Sequence, residues 1–298
     1  MSNSVLITGA GTGLGLETAL YLAEKGFTVY ATIPELGQQD HVETQAARRR
    51  LKLRVLRLDV TDEASIQAAV GAVLAECGGI YALVNNAGIS LRGYFEDCDE
   101  EEIRRTVEVN LFGVMAVTRA VLPHMRLARR GRLVFISSIG GRIGAMARTG
   151  YCASKFGVEG FAESLMQEVV PLGLCVSLIE PGLVNTERWT INRGLARRAL
   201  DPDSPYSAWF RQEEALADAF VRTSPTRPAD VARAVHRALT AQRPRLRYVV
   251  GWRASLVLAL RRYVPGELFE RLYFGEAMRR VTRPRPSPQK ISEQVPES

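Results

Sequence analysis

Short apolar runs rich in β-branched residues recur along the chain, and helix-length amphipathic stretches separate them. Val5 to Thr8, Thr28 to Ile33, Leu53 to Leu58, Tyr81 to Asn85, Leu133 to Ser137, Cys175 to Ile179 and Tyr248 to Val250 have the length and composition of strands. Helical patterns fill the gaps, at Leu14 to Lys25, Glu63 to Glu76, Glu100 to Arg126, Tyr151 to Val170 and Pro228 to Ala241. Strands alternating with helices predict parallel βαβ units, and right-handed crossovers leave few topologies. The expected architecture is one α/β domain over residues 1–282, with a Rossmann-type doubly wound parallel sheet of about seven strands and helices on both faces.

Two stretches break this rhythm. Residues ~185 to 226 are too long for a plain connection, and they carry Trp189, Leu195, Trp209, Phe210 and Phe220 among charges. A substrate lid is favoured there over an extra packed helix pair. The extension at about 252–282 mixes apolar and basic positions at helical spacing. Packing on the protein's own core or on a second subunit is favoured over a bed on a membrane surface. Residues 283–298 are polar and proline-rich and are expected to be disordered.

Composition narrows the classes. The chain has 298 residues, 46% of them hydrophobic, which suffices for a sizeable core. Cys77, Cys98, Cys152 and Cys175 are scattered without a CxxC, so neither a metal site nor a disulfide framework is expected. With no signal-like segment before Val5 and no run of ~18 apolar residues, a cytoplasmic protein is the expectation. The net charge of +7 comes from spread arginines with no aromatic-basic platform, so nucleic acid is set aside as the main partner. Attraction to anionic substrates or cofactor phosphates remains.

The chemistry centres on Tyr151-Cys152-Ala153-Ser154-Lys155, with Ser138 upstream. On a helix, i and i+4 share a face, so the Tyr151 phenol and the Lys155 ammonium lie side by side. A cation held there favours the phenolate, which suits proton exchange with an alcohol or ketone oxygen. Ser138 ends a strand at the carboxyl edge of the sheet, where open α/β folds bind ligands, and its hydroxyl could fix the same oxygen. Asn110 sits inside a long helix, a poor place for an amide. It is either a solvated surface residue or the holder, through backbone or amide, of a water leading to Lys155. Cys152 is read as a packed small residue.

Strand one runs into Thr8-Gly9-Ala10-Gly11-Thr12-Gly13-Leu14-Gly15 and then a helix. Glycines keep such a turn tight and let backbone approach a pyrophosphate, and the helix N-terminus favours the anion. The spacing is TGxxxGxG. With Asn85-Asn86-Ala87-Gly88, Asn110, Ser138, Tyr151, Lys155 and Pro181-Gly182-Leu183-Val184-Asn185-Thr186 in that order, residues ~4 to 250 resemble a short-chain dehydrogenase/reductase of the non-extended branch.

The resemblance implies a catalytic tetrad of Asn110, Ser138, Tyr151 and Lys155. It implies cofactor contacts from Gly9, Thr12, Gly13, Leu14 and Gly15, and from Asp59 and Val60 beside the adenine. Asn86, Ala87 and Gly88 would line the cofactor, Tyr151 and Lys155 would contact it, Lys155 at the nicotinamide ribose, and Pro181, Gly182, Val184 and Thr186 would lie beside the nicotinamide. Ile33 falls where NAD enzymes carry an Asp, and Pro34 where NADP enzymes often carry Arg. With the repelling acid gone but no attraction supplied, NADP is narrowly favoured over NAD.

Val29-Tyr30-Ala31-Thr32, Arg247 to Gly251 and the extension after it resemble the 17β-hydroxysteroid and retinol dehydrogenase-like group more loosely. That implies a bulky apolar alcohol or ketone, such as a steroid, retinoid or lipid, and a homodimer or homotetramer. Arg142, Arg188 and Arg193 are read as surface charges in preference to an anion clamp. The expected activity is NAD(P)-dependent interconversion of an alcohol and a ketone or aldehyde. The competing class is a non-catalytic NAD(P)-binding redox sensor, which would be expected to lose tetrad members.

Overall fold

The computed structural model describes residues 3–186 and 194–282. The strands are β1 Ser4–Ile7, β2 Thr28–Ile33, β3 Arg54–Arg57, β4 Ala82–Asn85, β5 Gly131–Ile136, β6 Leu174–Pro181 and β7 Arg247–Val250. All pair in parallel in the order β3-β2-β1-β4-β5-β6-β7. The central strands are apolar without alternation because both faces are covered: Ser4–Ile7 and Ala82–Asn85 are buried at every position.

One face carries α1 Gly13–Glu24, α2 Gln39–Arg48 and α8 Pro228–Thr240; the other carries α3 Glu63–Cys77, α5 Gly113–Leu127 and α6 Thr149–Val169. Local signals set the ends. The Asp62 carboxylate accepts from Ser65 N–H (3.2 Å) ahead of α3, and Gly78 closes it with φ +68°. Pro228 opens α8, where the Asp230 carboxylate accepts from Arg227 N–H at 2.8 Å.

The predicted helix from Glu100 is interrupted. Α-helix α4 Glu100–Val107 passes through a π-helical turn, Glu108–Phe112, into α5. Within Glu100–Leu127 an 18-residue window reaches a mean hydropathy of 1.2, long and apolar enough to cross a membrane by length and composition. In this fold α5 places Val114, Val117, Val121 and Met125 against the sheet.

The long stretch after β6 contains α7 Ser207–Arg222, which seats a fully buried Phe210 on Leu91, Ala147, Ala196 and Ala199 as a third, smaller core. After β7 come α9 Trp252–Tyr263 and α10 Gly266–Thr282. Trp189, Arg188, Arg193 and the tail from Arg283 lie outside the described residues.

Candidate active site

The sheet changes direction between β1 and β4, the crevice where doubly wound folds bind ligands. Two loops meet there. Thr8 Oγ1 accepts from the N–H groups of Asn86 and Ala87, both at 3.0 Å. In return Asn86 Nδ2 donates to the carbonyls of Thr8 (3.0 Å) and Gly9 (2.8 Å). Gly9 has φ +64°, and a Cβ on it would lie 2.8 Å from the Ala87 Cα. Gly13 has φ +57° and faces open space. Thr12, before α1, makes no side-chain cap, so the first N–H groups of the helix remain for a ligand. This cradle fits a dinucleotide pyrophosphate.

Four chemically competent side chains converge one strand further on. Ser138 leaves β5 in extended conformation, and its Oγ accepts from Gly140 N–H at 3.0 Å. A methyl built on Gly140 would lie 3.3 Å from the Tyr151 ring and 3.5 Å from both Ser138 Oγ and Cys152 Sγ. Ser138 Oγ, the Tyr151 ring and Cys152 Sγ thus pack closely about Gly140. Lys155, one turn along α6, is buried and donates from Nζ to the Ile136 carbonyl at 2.8 Å. Asn110 lies in the π-helical turn, fully buried rather than on the surface. Its Oδ1 accepts from Ile89 N–H (2.7 Å), and its Nδ2 donates to Ile89 O (2.9 Å) and Ser154 Oγ (3.0 Å). Burial pushes the Cys152 thiol up, away from nucleophilic reactivity.

A cavity of about 1200 Å³ joins these parts. It is lined by Gly9, Thr12, Gly13, Leu14, Gly15, Asn86 and Gly88, by Ser138, Tyr151 and Lys155, and by Pro181, Gly182, Val184 and Thr186. Other residues expected at the cofactor stand back from it. Ala87 packs under Gly9. Ile33 is fully buried in the core, with its Cγ2 beneath Gly11, so its side chain contacts protein. The Asp59 carboxylate accepts from the Thr61 N–H (2.9 Å) and hydroxyl (2.8 Å), and Val60 packs on Gly113.

The far wall of the cavity combines α7, α9 and α10 through Leu216, Phe220, Val257, Leu260, Phe269 and Leu272. Of the insertion's aromatics, Phe220 lines the cavity; Trp209 sits against Tyr94 and Tyr206, and Phe210 is core. Arg142 is bound to the fully buried Glu180 at 2.9 Å.

Sequence reasoning missed a polar cluster in the same cavity. Arg92, Arg148 and Glu213 line it. Arg92 meets Glu214 at 2.9 Å, and Arg148 meets Glu213 at 2.9 Å and Glu214 at 3.8 Å. No motif or period joins these positions; only the adjacent acids Glu213-Glu214, on the face of α7 that carries Phe210, hint at them.

The comparisons with known proteins agree with this geometry. A family model described as short chain dehydrogenase matches residues 3–193. The chain belongs to that family. It is accordingly an NAD(P)-dependent oxidoreductase acting on CH–OH groups. Among its relatives is a 3-ketodihydrosphingosine reductase of Bacteroides thetaiotaomicron, 39% identical over 219 residues, covering 74% of this chain and 73% of that one. Human 17-beta-hydroxysteroid dehydrogenase type 1 is 36% identical over 265 residues, covering 86% of this chain and 80% of its own. A solved short-chain dehydrogenase from Streptomyces avermitilis superposes with a TM-score of 0.75 at 30% identity, covering 93% and 98%.

Proposed function

We propose that this oxidoreductase interconverts a bulky apolar ketone and its alcohol, with Tyr151 exchanging the proton. The observation that carries the reading is that Ser138, Tyr151 and Lys155 line one cavity whose far wall is apolar. A substrate oxygen held between the Ser138 and Tyr151 hydroxyls accepts a hydrogen bond from each. In reduction Tyr151 gives its proton to that oxygen, and the Lys155 ammonium one turn along stabilises the phenolate left behind. Bound nicotinamide supplies or takes the hydride.

Gly9 to Gly15 and the start of α1 would hold the pyrophosphate, and Pro181 to Thr186 would border the nicotinamide. The Asn110 amide is committed to Ile89 and Ser154, so its main-chain carbonyl is the group left for a relay water toward Lys155. An apolar Ile33 offers no acid to repel a ribose phosphate, which supports NADP over NAD. The names of the relatives, reductases and dehydrogenases of a sphingoid base and of steroids, support a large apolar substrate.

The test is a fluorescence titration with NADPH and with NADH, followed by steroid, retinoid and long-chain ketones added to the tighter complex. Oxidation of the reduced cofactor by an apolar ketone is expected. Tight binding with no turnover of any carbonyl would favour a sensor.

A further inference from the structure

The helices after β7 carry an apolar strip that neither the core nor the active site absorbs. Ala254 is the one buried residue of α9. Trp252, Leu256, Leu260 and Tyr263 are all exposed, and at i, i+4, i+8 and i+11 they share one face of the helix. Trp252 and Leu260 also line the cavity, whereas Leu256 and Tyr263 do not. The exposure of those two, 52% and 77%, is therefore to the outside of the molecule. The strip thus runs along the border of the cavity. On α10, Leu272 and Met278 line the cavity and Leu268 lies outside it, all three exposed. Clustered exposed apolar side chains of this kind mark a contact surface.

Charge indicates what covers it. On α9 stand Arg253, Arg261 and Arg262 with no acid, whereas on α10 Arg271, Arg279 and Arg280 are matched by Glu267, Glu270 and Glu276. Two of the α9 arginines sit against the aromatic ends of the strip. The Arg253 guanidinium lies 5.6 Å from the centre of the Trp252 ring, and that of Arg262 lies 5.6 Å from the centre of the Tyr263 ring. Indole and phenol rings beside arginines suit a lipid headgroup layer, where an apolar body is buried and a polar tip stays wet. A second copy of the chain would cover Trp252 and Leu260 and seal that border of the cavity. A fluid lipid phase covers the same strip and leaves the border open.

We infer that α9, with the exposed leucines of α10, docks on an anionic lipid bilayer. Leu256 and Tyr263 enter the headgroup and acyl boundary, and the α9 arginines lie within a Debye length of the phosphates. Spacing alone favoured packing on the core or on a second subunit; the outward exposure of Leu256 and Tyr263 and the absence of acids from α9 turn the choice. The oxidoreductase reading enters at one point only: an apolar ketone dissolved in lipid would meet the cavity border directly.

The experiment is flotation of the full chain with vesicles of phosphatidylcholine alone and of equal parts phosphatidylcholine and phosphatidylglycerol. Wild type is expected to float with the mixed vesicles far more than with the neutral ones, and less as sodium chloride is raised. Arg261→Gln combined with Arg262→Gln should bind the mixed vesicles about 30-fold more weakly, the worth of two arginines at an anionic surface. Leu256→Gln combined with Tyr263→Gln should lose about 10-fold or more in partitioning. All four side chains are exposed and none lines the cavity, so both double variants should melt with wild type. Wild type that fails to float with the mixed vesicles would overturn the inference, and so would either double variant binding them as wild type does. Light scattering identifies the rival occupant: a fall in solution mass in Leu256→Gln with Tyr263→Gln, while wild type ignores both vesicles, would overturn the inference and assign the strip to a second copy. Flotation needs no turnover. Its failure leaves the oxidoreductase reading standing, and failure of every ketone to be reduced leaves the bilayer contact standing.

Discussion

Replacing Glu159 by Gln should flatten a step in the pH dependence of stability. Glu159 lies on the face of α6 that carries Tyr151 and Lys155, one turn beyond the lysine. It is buried against Ser137 and Glu180, and its Oε2 accepts from Arg247 Nε at 3.1 Å. Arg247 also meets Glu180 (2.9 Å) and Glu163 (2.8 Å), and Arg142 binds Glu180 from the other side. Glu180 Oε2 is buried with no hydrogen-bond partner among the described residues, so this acidic pocket is short of donors.

Burial pushes the Glu159 carboxyl up from 4.5 to about 7; the Glu180 charge adds to the rise, and Ser137 and Arg247 oppose it. The folded chain therefore keeps a proton that the unfolded chain releases above pH 4.5. The stabilisation is complete below 4.5 and is lost as pH rises through 7. At 1.36 kcal/mol per unit, the rise amounts to about 3 kcal/mol as an upper value. Urea unfolding at pH 5, 6, 7 and 8 measures it. Wild type should lose up to about 3 kcal/mol more than Glu159→Gln across that range. Parallel curves would refute the reasoning.

Three further outcomes are expected. Gly9→Ala forces a side chain into φ +64° and against the Ala87 backbone, and should cost about 1–3 kcal/mol in thermal unfolding and weaken cofactor binding. Asn110→Ala removes hydrogen bonds to both main-chain groups of Ile89 and to Ser154; about 3 kcal/mol of stability should be lost in urea. Phe210→Ala empties the third core beneath α7, with a cost of about 3 kcal/mol or more and a raised KM as the Glu213 wall loosens.

Much of the fold was legible because parallel strands covered on both faces leave unbroken apolar runs. Thr28–Ile33 matched residue for residue, and the other strands shifted by one or two positions. The glycine loop and the Tyr151–Lys155 pair were legible for a local reason: each is fixed by spacing within one turn or one helix. What escaped was set by packing between distant segments. The π-helical turn that buries Asn110 is invisible to a 3.6-residue period. Ile33 marked the right strand end, but the turn of its side chain into the core depends on Gly11 above it. Arg92, Arg148 and Glu213 come from three segments, and only the seating of Phe210 brings α7 across to join them.

The central claim is that Tyr151 exchanges the proton in an NAD(P)-dependent carbonyl reduction. Its most direct test compares wild type and Tyr151→Phe for nicotinamide binding by fluorescence and for oxidation of the reduced cofactor by a long-chain apolar ketone. Unchanged binding with turnover down by about 10²-fold or more is predicted, the scale of a lost general acid. Turnover at the wild-type rate in Tyr151→Phe would contradict it.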